Sequence, residues 1–527
     1  MGAQCALAPW IAVSAQQLPT LMHRNPWILS LAACCLAAAV WAGFAPLGDP
    51  DLPMHLTIGE WIYTHHRVPF VEPFAWTRAG EPYYAYSWLA QLTFYAAIRA
   101  SGPIGLHVLS AILGASIVLA GFAAGRSLEL SISRSTVLGV LSIAIAMEST
   151  PFLRPQLLMH ALIPLAWASA FWLVREQASN ATYAALALWL ISALAAGTHI
   201  TFPVVAAPLV VLWARADAHN VSRVLTATAV VVLGWLTSPY ALHWPDVFAL
   251  NLGYNAINAA LSSAGELAPG FAVSPLVGVA LAALPLVVDT RAIPLRQRSA
   301  MGLLWLAGLV VFARYFKGLG PWWWCALPLV VLTLRRLPGA SDRRVALSWA
   351  ILTPLVVLAC SPTNIRLWKG TRAFEGGTES RMLPSLKAFA AEPAARWLES
   401  HAAIPAGTRL LTTFNYGSYL KWRLPALSES IDSRGVFPDS VALPDVPSTS
   451  TVRPMGPWES ADLAIVPETY PVAGILDRHH AWRRIGTAAR APWERTAPRA
   501  ALWARREWLR SHARSSLPDS SAALDLK

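Results

Sequence analysis

Gly48-Asp49-Pro50-Asp51-Leu52-Pro53-Met54-His55 follows directly on the first membrane-length apolar stretch of the chain, at about residues 27–46. Carboxylates this close to a hydrocarbon boundary are costly to desolvate, and membrane proteins keep them mainly for function. Helix capping is the other common reason for an aspartate at the start of a segment. The position fixes where any chemistry would take place: at the far end of span one, at the membrane–water interface.

The rest of the sequence sets the class. Of 527 residues, 55% are hydrophobic and 13% charged, whereas soluble domains carry roughly 25% charged residues. Apolar blocks suited to crossing a bilayer recur at about 27–46, 103–125, 135–149, 156–174, 181–197, 199–214, 222–240, 273–289, 299–313, 320–335 and 344–361. This predicts an α-helical polytopic membrane protein with about 11 transmembrane helices. Residues 1–26 form a cytoplasmic lead-in whose one strong charge, Arg24, reads as an uncleaved anchor. Residues 27–361 form the membrane domain, with an exoplasmic loop at 47–86.

Arginines orient the spans. Arg126 and Arg134 flank one loop, Arg175 marks a second, and Arg215 and Arg223 a third. Arg291, Arg296 and Arg298 mark a fourth, and Arg335, Arg336, Arg343 and Arg344 a fifth. All five fall on the cytoplasmic side only if segment 86–100 does not cross. Trp88-Leu89-Ala90-Gln91-Leu92-Thr93-Phe94-Tyr95 therefore reads as an amphipathic interfacial helix. Loop 47–86 and the C-terminal region then face outward. The five cysteines (Cys5, Cys34, Cys35, Cys325, Cys360) make no disulfide framework. The net charge of +12 suits anionic membrane lipid, and no soluble basic face points to nucleic acid.

From about residue 362 charged residues, prolines and short alternating segments replace the apolar blocks. A helix over Glu392–His401, a strand over Arg409–Phe414, a helix over Tyr416–Leu424 and a strand over Asp462–Val466 predict a small exoplasmic α/β domain at 362–527. Its polar end, Ser515–Lys527, reads as frayed.

Loop 47–86 holds Asp49, Asp51, His55, Glu60, His65, His66, Arg67, Glu72, Arg78 and Glu81. On a helix from Leu52 to Tyr63, Asp51 and His55 share a face. That pair reads as an acid/base couple, half a metal site, or a plain surface ion pair. His65-His66 would point apart on a helix and lack further ligands, so they do not read as a metal site. Arg154, His199, Ser238-Pro239-Tyr240, Glu266, Arg314 and Lys317 fall at other exoplasmic span ends. A ring of cations at that level suits a lipid-linked phosphate; snorkelling explains isolated cases. Trp322-Trp323-Trp324 reads as an interfacial aromatic belt.

Several motifs in order carry a resemblance: Asp49-Pro50-Asp51, His55-Leu56-Thr57-Ile58-Gly59-Glu60-Trp61-Ile62, Val68-Pro69 and Glu72-Pro73-Phe74-Ala75-Trp76-Thr77. Arg154-Pro155-Gln156, Gly197-Thr198-His199, Ser238-Pro239-Tyr240, Ala313-Arg314-Tyr315, Asn415-Tyr416-Gly417-Ser418-Tyr419-Leu420 and Ile431-Asp432-Ser433-Arg434 continue it. The chain resembles GT-C superfamily bacterial membrane glycosyltransferases, in a branch related to the polyprenyl-phosphate-sugar-dependent protein mannosyltransferases and aminoarabinose transferases. The resemblance implies an inverting transferase that passes a sugar from a polyprenyl-phosphate donor to a glycan, lipid or protein acceptor. It implies Asp51 as the base, with Asp49 second or as a metal partner. His55, Arg154, His199, Arg314, Lys317 and Glu266 are the implied donor-phosphate or substrate contacts. No cofactor is certain, and a divalent cation (Mg or Mn) stays open.

The chain also departs from that pattern. Pro53 and Met54 stand where relatives tend to carry tryptophans, and Ser87 and Gln91 where they carry acids. The losses favour a degenerate scaffold in envelope-polysaccharide assembly as the rival reading. A transporter is a further rival, though no inverted halves are evident.

Overall fold

The computed structural model describes residues 26–45, 47–150, 152–175, 178–252, 269–336, 391–431, 457–488, 499–513 and 524–526. The chain divides into two compact units. One comprises Met1–Ala45, His107–Ala241 and Ala264–Leu367, and the other Pro46–Leu106, Leu242–Ser263 and Trp368–Lys527. Loop 47–86 therefore belongs to the same unit as the C-terminal region.

The first unit is helical. Pro26–Phe44, Pro103–Ser127, Ile132–Ser149, Pro155–Arg175 and Asn180–Thr198 are each long and apolar enough to cross a membrane. A sixth is added if Val221–Leu236 and the Ala241–Asn251 segment after it count as one span. The expected count of about 11 is not reached among the described residues, and proline explains much of the difference. Expected span 273–289 is three short helices, Gly270–Val273, Pro275–Ala282 and Leu284–Val287, restarted at Pro275 and Pro285. Span 199–214 divides into the 3-10 turn Phe202–Ala206 and the helix Ala207–Arg215, with Pro203 and Pro208 near each start. Span 320–335 divides into Leu319–Cys325 and Leu327–Arg336. Span 299–313 lies inside the helix Leu295–Arg314, and 344–361 lies outside the described residues.

Small residues bring these helices together. A Cβ on Gly121 would lie 2.6 Å from Ser142 Oγ, and one on Gly125 2.9 Å from Ser135 Oγ, so Pro103–Ser127 and Ile132–Ser149 pack almost backbone to backbone. Such packing drives helix association where no hydrophobic effect operates.

The arginine loops gather at one end of this unit. Arg175 donates to Ser127 O, Arg335 to Leu128 O and Arg223 to Val174 O. Arg296 donates to Ala216 O and Arg336 to Val287 O. Arg154 and His199 flank the opposite end of the helical pair Pro155–Arg175 and Ala178–Thr198, which run antiparallel through a short connection.

In the second unit the helix Leu52–His65 packs on Trp88–Ser101, the helix expected at 86–100. Trp88–Ser101 buries Ala90, Gln91, Phe94 and Ile98, one amphipathic face. Met54, Ile58 and Ile62 meet Phe74, Tyr83 and Ala85 in a compact core. The two helices approach most closely at Gly59, where a Cβ would fall 2.2 Å from Gln91 O.

The same unit holds a six-stranded mixed sheet in the order β2-β1-β3-β5-β4-β6. Its strands are β1 (Thr408–Thr412), β2 (Leu427–Glu429), β3 (Leu463–Pro467), β4 (Trp482–Ala488), β5 (Ala500–Arg505) and β6 (Leu524–Leu526). The helix Phe414–Arg423 makes the crossover between parallel strands β1 and β2, as parallel pairing requires. β3 is buried along its whole length, so its run Leu463-Ala464-Ile465-Val466-Pro467 is apolar throughout rather than alternating. The expected elements at Glu392–His401, Arg409–Phe414, Tyr416–Leu424 and Asp462–Val466 are all present, shifted by at most two residues. The expectation of a frayed end is corrected in part: Leu524–Leu526 pairs in parallel with β4.

Two sets of polar contacts hold this unit. Trp76 Nε1 donates to Leu410 O (3.3 Å), Thr77 Oγ1 to Ser430 O (2.5 Å) and Ser428 Oγ to Phe74 O (2.6 Å), tying loop 47–86 to the β1–β2 edge. Buried Glu392 receives Tyr419 Oη (2.6 Å), Arg396 Nε (3.0 Å) and Arg423 Nε, while Arg423 also forks onto Glu399 at 2.7 Å twice. Burial, and then the charge of Glu392, push the Tyr419 phenol well above its usual pKa, so it acts as a donor.

Gly59→Val will separate the two helices and lower the melting temperature, at about 1–3 kcal/mol. Gly302→Val, where no atom lies within 4 Å of a Cβ, will leave it nearly unchanged. Glu392→Gln will destabilise the protein by about 1–3 kcal/mol, because one of the two buried acceptor oxygens becomes an NH2 facing donors and the charge opposite Arg423 is lost; equilibrium unfolding reads the difference.

Candidate functional site

Asp49 and Asp51 do different jobs. Asp49 is fully buried, and its Oδ1 accepts the backbone N–H of Asp51 at 3.2 Å. Its carbonyl accepts the N–H of Leu52 at 3.1 Å. Asp49 thus closes the turn that starts the helix, in the manner of an Asx turn. Asp51 occupies the N-cap position of Leu52–His65, yet its side chain makes no capping hydrogen bond. Pro53 fits the first turn, where a missing N–H is harmless. Capping therefore accounts for Asp49 and not for Asp51.

His55 follows one turn later on the face of Asp51, half-buried. Its Nδ1 lies 3.3 Å from Gln91 Nε2, and its ring meets Phe94 edge-on at 6.2 Å. Gln91, where the resemblance implies an acid, is thus a partner of His55. An amide supplies no charge: as placed, Gln91 Nε2–H donates to an unprotonated Nδ1, and with the amide turned over Oε1 would accept from Nδ1–H instead. Gln91 Oε1, Ser87 Oγ and Trp88 Nε1 are buried without a hydrogen-bond partner among the described residues. Sequence reasoning missed the His55–Gln91 pairing, although two amphipathic helices facing each other pointed to it.

Other polar residues of the loop serve the fold. Glu72 Oε1 accepts the N–H groups of Phe74 (2.8 Å) and Ala75 (3.1 Å). Buried Arg78 donates to Glu81 (2.7 Å) and to Pro82 O (3.3 Å). Glu60 accepts from Tyr95 Oη at 3.4 Å. His65 folds back on Trp61, with rings stacked at 4.2 Å, while His66 takes a left-handed C-cap conformation. Tyr84 stacks on His243 at 5.6 Å, and desolvation followed by the charge of Asp246 raises its pKa.

The candidate phosphate contacts belong to the first unit. Arg154 and His199 are buried; His199 Nδ1 meets Thr201 Oγ1 at 2.9 Å. Arg314 and Lys317 are exposed, and Arg314 lies over the Tyr315 ring at 5.3 Å. The four do not share one environment, so the expected ring resolves into a buried pair and an exposed pair. Glu266 lies outside the described residues. Trp322, Trp323 and Trp324 are interior rather than a belt: Trp322 stacks on Phe312 at 4.9 Å, and all three are buried.

Among the described residues no three His, Cys, Asp or Glu side chains gather as a metal set. Asp49 and Asp51 supply two carboxylates, one engaged by an N–H; Mg2+ sites commonly use one or two carboxylates, completed by waters and a substrate phosphate.

Solved structures share this architecture. The crystal structure of the Archaeoglobus fulgidus oligosaccharyltransferase tethered with an acceptor peptide containing the NVT sequon matches with TM-score 0.57 and 12% identity, over 85% of this chain and 70% of that one. The apo form of that enzyme matches with TM-score 0.54 and 11% identity, over 84% and 69%. The fold is GT-C-like. At such identity the likeness concerns the fold alone. No protein-family model and no curated protein sequence matches the chain.

Asp49→Ala will remove the acceptor at the helix start and lower stability by about 0.5–2 kcal/mol. Asp51→Ala will leave the melting temperature nearly unchanged, and thermal unfolding in detergent compares the two directly.

Proposed function

We propose that this chain is a membrane glycosyltransferase of GT-C type, acting on the exoplasmic side of a bacterial inner membrane. The reading rests on one observation above others: Asp51 starts the first loop helix without capping it, beside the backbone-engaged Asp49. Asp51 acts as the general base. The acceptor hydroxyl oxygen attacks the anomeric carbon, Asp51 takes the hydroxyl proton, and the C1–O bond to the phosphate breaks with inversion. The electron pair leaves on the polyprenyl phosphate, which cations stabilise. Arg154, His199, Arg314 and Lys317 are assigned to that phosphate, with Glu266 on the substrate. His55, oriented through Gln91, is assigned to substrate binding rather than to a metal.

The GT-C-like fold supports this reading, as does an archaeal oligosaccharyltransferase among the structural neighbours. The acceptor is a glycan, lipid or protein. A degenerate scaffold is the second reading, favoured by Ser87 and Gln91 at positions where relatives carry acids. Sugar transfer from radiolabelled polyprenyl-phosphate sugars, measured in membranes carrying the protein, separates the two. Asp51→Asn will reduce transfer by about 10²–10⁴-fold with unfolding unchanged. Full activity in that variant removes Asp51 from the mechanism, and no transfer by the unmodified protein favours the scaffold.

A further inference from the structure

We propose that Arg175, Arg215 and Arg335 form a binding site for the phosphate headgroup of an anionic membrane phospholipid. The site lies at the end of the first unit opposite Arg154 and His199, and it is independent of the transferase reading.

Four helix ends deliver its parts. Pro103–Ser127 ends in the turn that carries Glu129, held left-handed at φ 62° and braced by Arg126 Nη1 on Leu130 O (2.5 Å). Arg175, at the end of Pro155–Arg175, reaches Glu129 at 2.9 Å; Arg335, in the last turn of Leu327–Arg336, reaches it at 3.5 Å. Arg215 ends the helix Ala207–Arg215, and its guanidinium lies over the Phe171 ring at 5.7 Å, with that of Arg175 over the same ring at 5.9 Å. Three cations thus converge near one carboxylate. Arg175 and Arg335 keep 38% and 44% of their side chains exposed, so donors remain open to a ligand.

Dipole complementarity at helix C-termini and snorkelling explain each arginine singly. They do not explain why separate helices bring two onto one acid and a third beside them. Burial first, then the like charges of Arg175 and Arg335, lower the Arg215 pKa, a repulsion that an added anion relieves. The excess extends through the sequence: residues 126–134, 175–180, 215–223, 289–298 and 335–344 contain 12 arginines and five acids. Guanidinium forks match phosphate geometry. The ligand is a lipid rather than a free phosphate because Pro103–Ser127 and Pro155–Arg175, two of the helices that end here, are apolar enough to cross a membrane, which puts their ends at headgroup depth.

Native mass spectrometry of the full chain in detergent tests this with phosphatidylglycerol and phosphatidylcholine of matched acyl chains. The protein will retain phosphatidylglycerol about tenfold over phosphatidylcholine, and R175Q/R215Q/R335Q will lose that preference. Glu129→Gln, which removes the competing acid and keeps all three arginines, will strengthen retention. Equal retention of the two lipids by the unmodified protein overturns the site. So does an unchanged preference in the triple variant, or unchanged retention in the Glu129 variant. Displacement of the lipid by millimolar inorganic phosphate overturns the lipid assignment in favour of a soluble phosphate.

Discussion

The carboxylate of Asp49 has no surface open to solvent, and its Oδ1 holds the N–H of Asp51. A buried carboxylate must be hydrogen-bonded, and the donor it takes fixes the backbone where the apolar first helix gives way to the loop. That fixed turn sets the start of Leu52–His65 and the place of Asp51 at its head. From there the helix packs on Trp88–Ser101 across Gly59, and its apolar side meets Phe74 and Tyr83. The loop beyond is tied to the β1–β2 edge by Trp76, Thr77 and Ser428. One desolvated acid thus organises the segment that carries the other.

Much of this was legible in the sequence, for physical reasons. The helix and strand signals at Glu392–His401, Arg409–Phe414, Tyr416–Leu424 and Asp462–Val466 come from local periodicity and reappear nearly in place. The interfacial helix at 86–100 was inferred from arginine parity alone. In the structure the arginines of those loops do gather at one end of the first unit. What was not legible depended on contacts distant in sequence. Strands β4, β5 and β6 were missed because their pairing partners, not their local patterns, define them. The expected count of spans is not reached among the described residues, where Pro275, Pro285 and Pro208 restart helices inside apolar stretches.

The candidate site shows the same division. Spacing put Asp51 and His55 on one face, and the helix keeps them there. Spacing could not tell which aspartate the backbone would use, since that depends on where the turn closes. Gln91 was read as a lost acid; packing makes it the partner of His55. The tryptophan triad was read as a belt because three adjacent indoles suit an interface, but Phe271 and Phe312 enclose Trp322 instead. Composition locates such residues, and packing assigns them.

The central claim is that Asp51 serves as the base in sugar transfer from a lipid-linked donor. Profiling polyprenyl-phosphate-linked sugars in cells lacking this protein tests it most directly. The account predicts that one such lipid-linked sugar accumulates, that the unmodified protein clears it, and that Asp51→Asn does not. An unchanged profile in the deletion, or clearance by the Asp51→Asn protein, would contradict it.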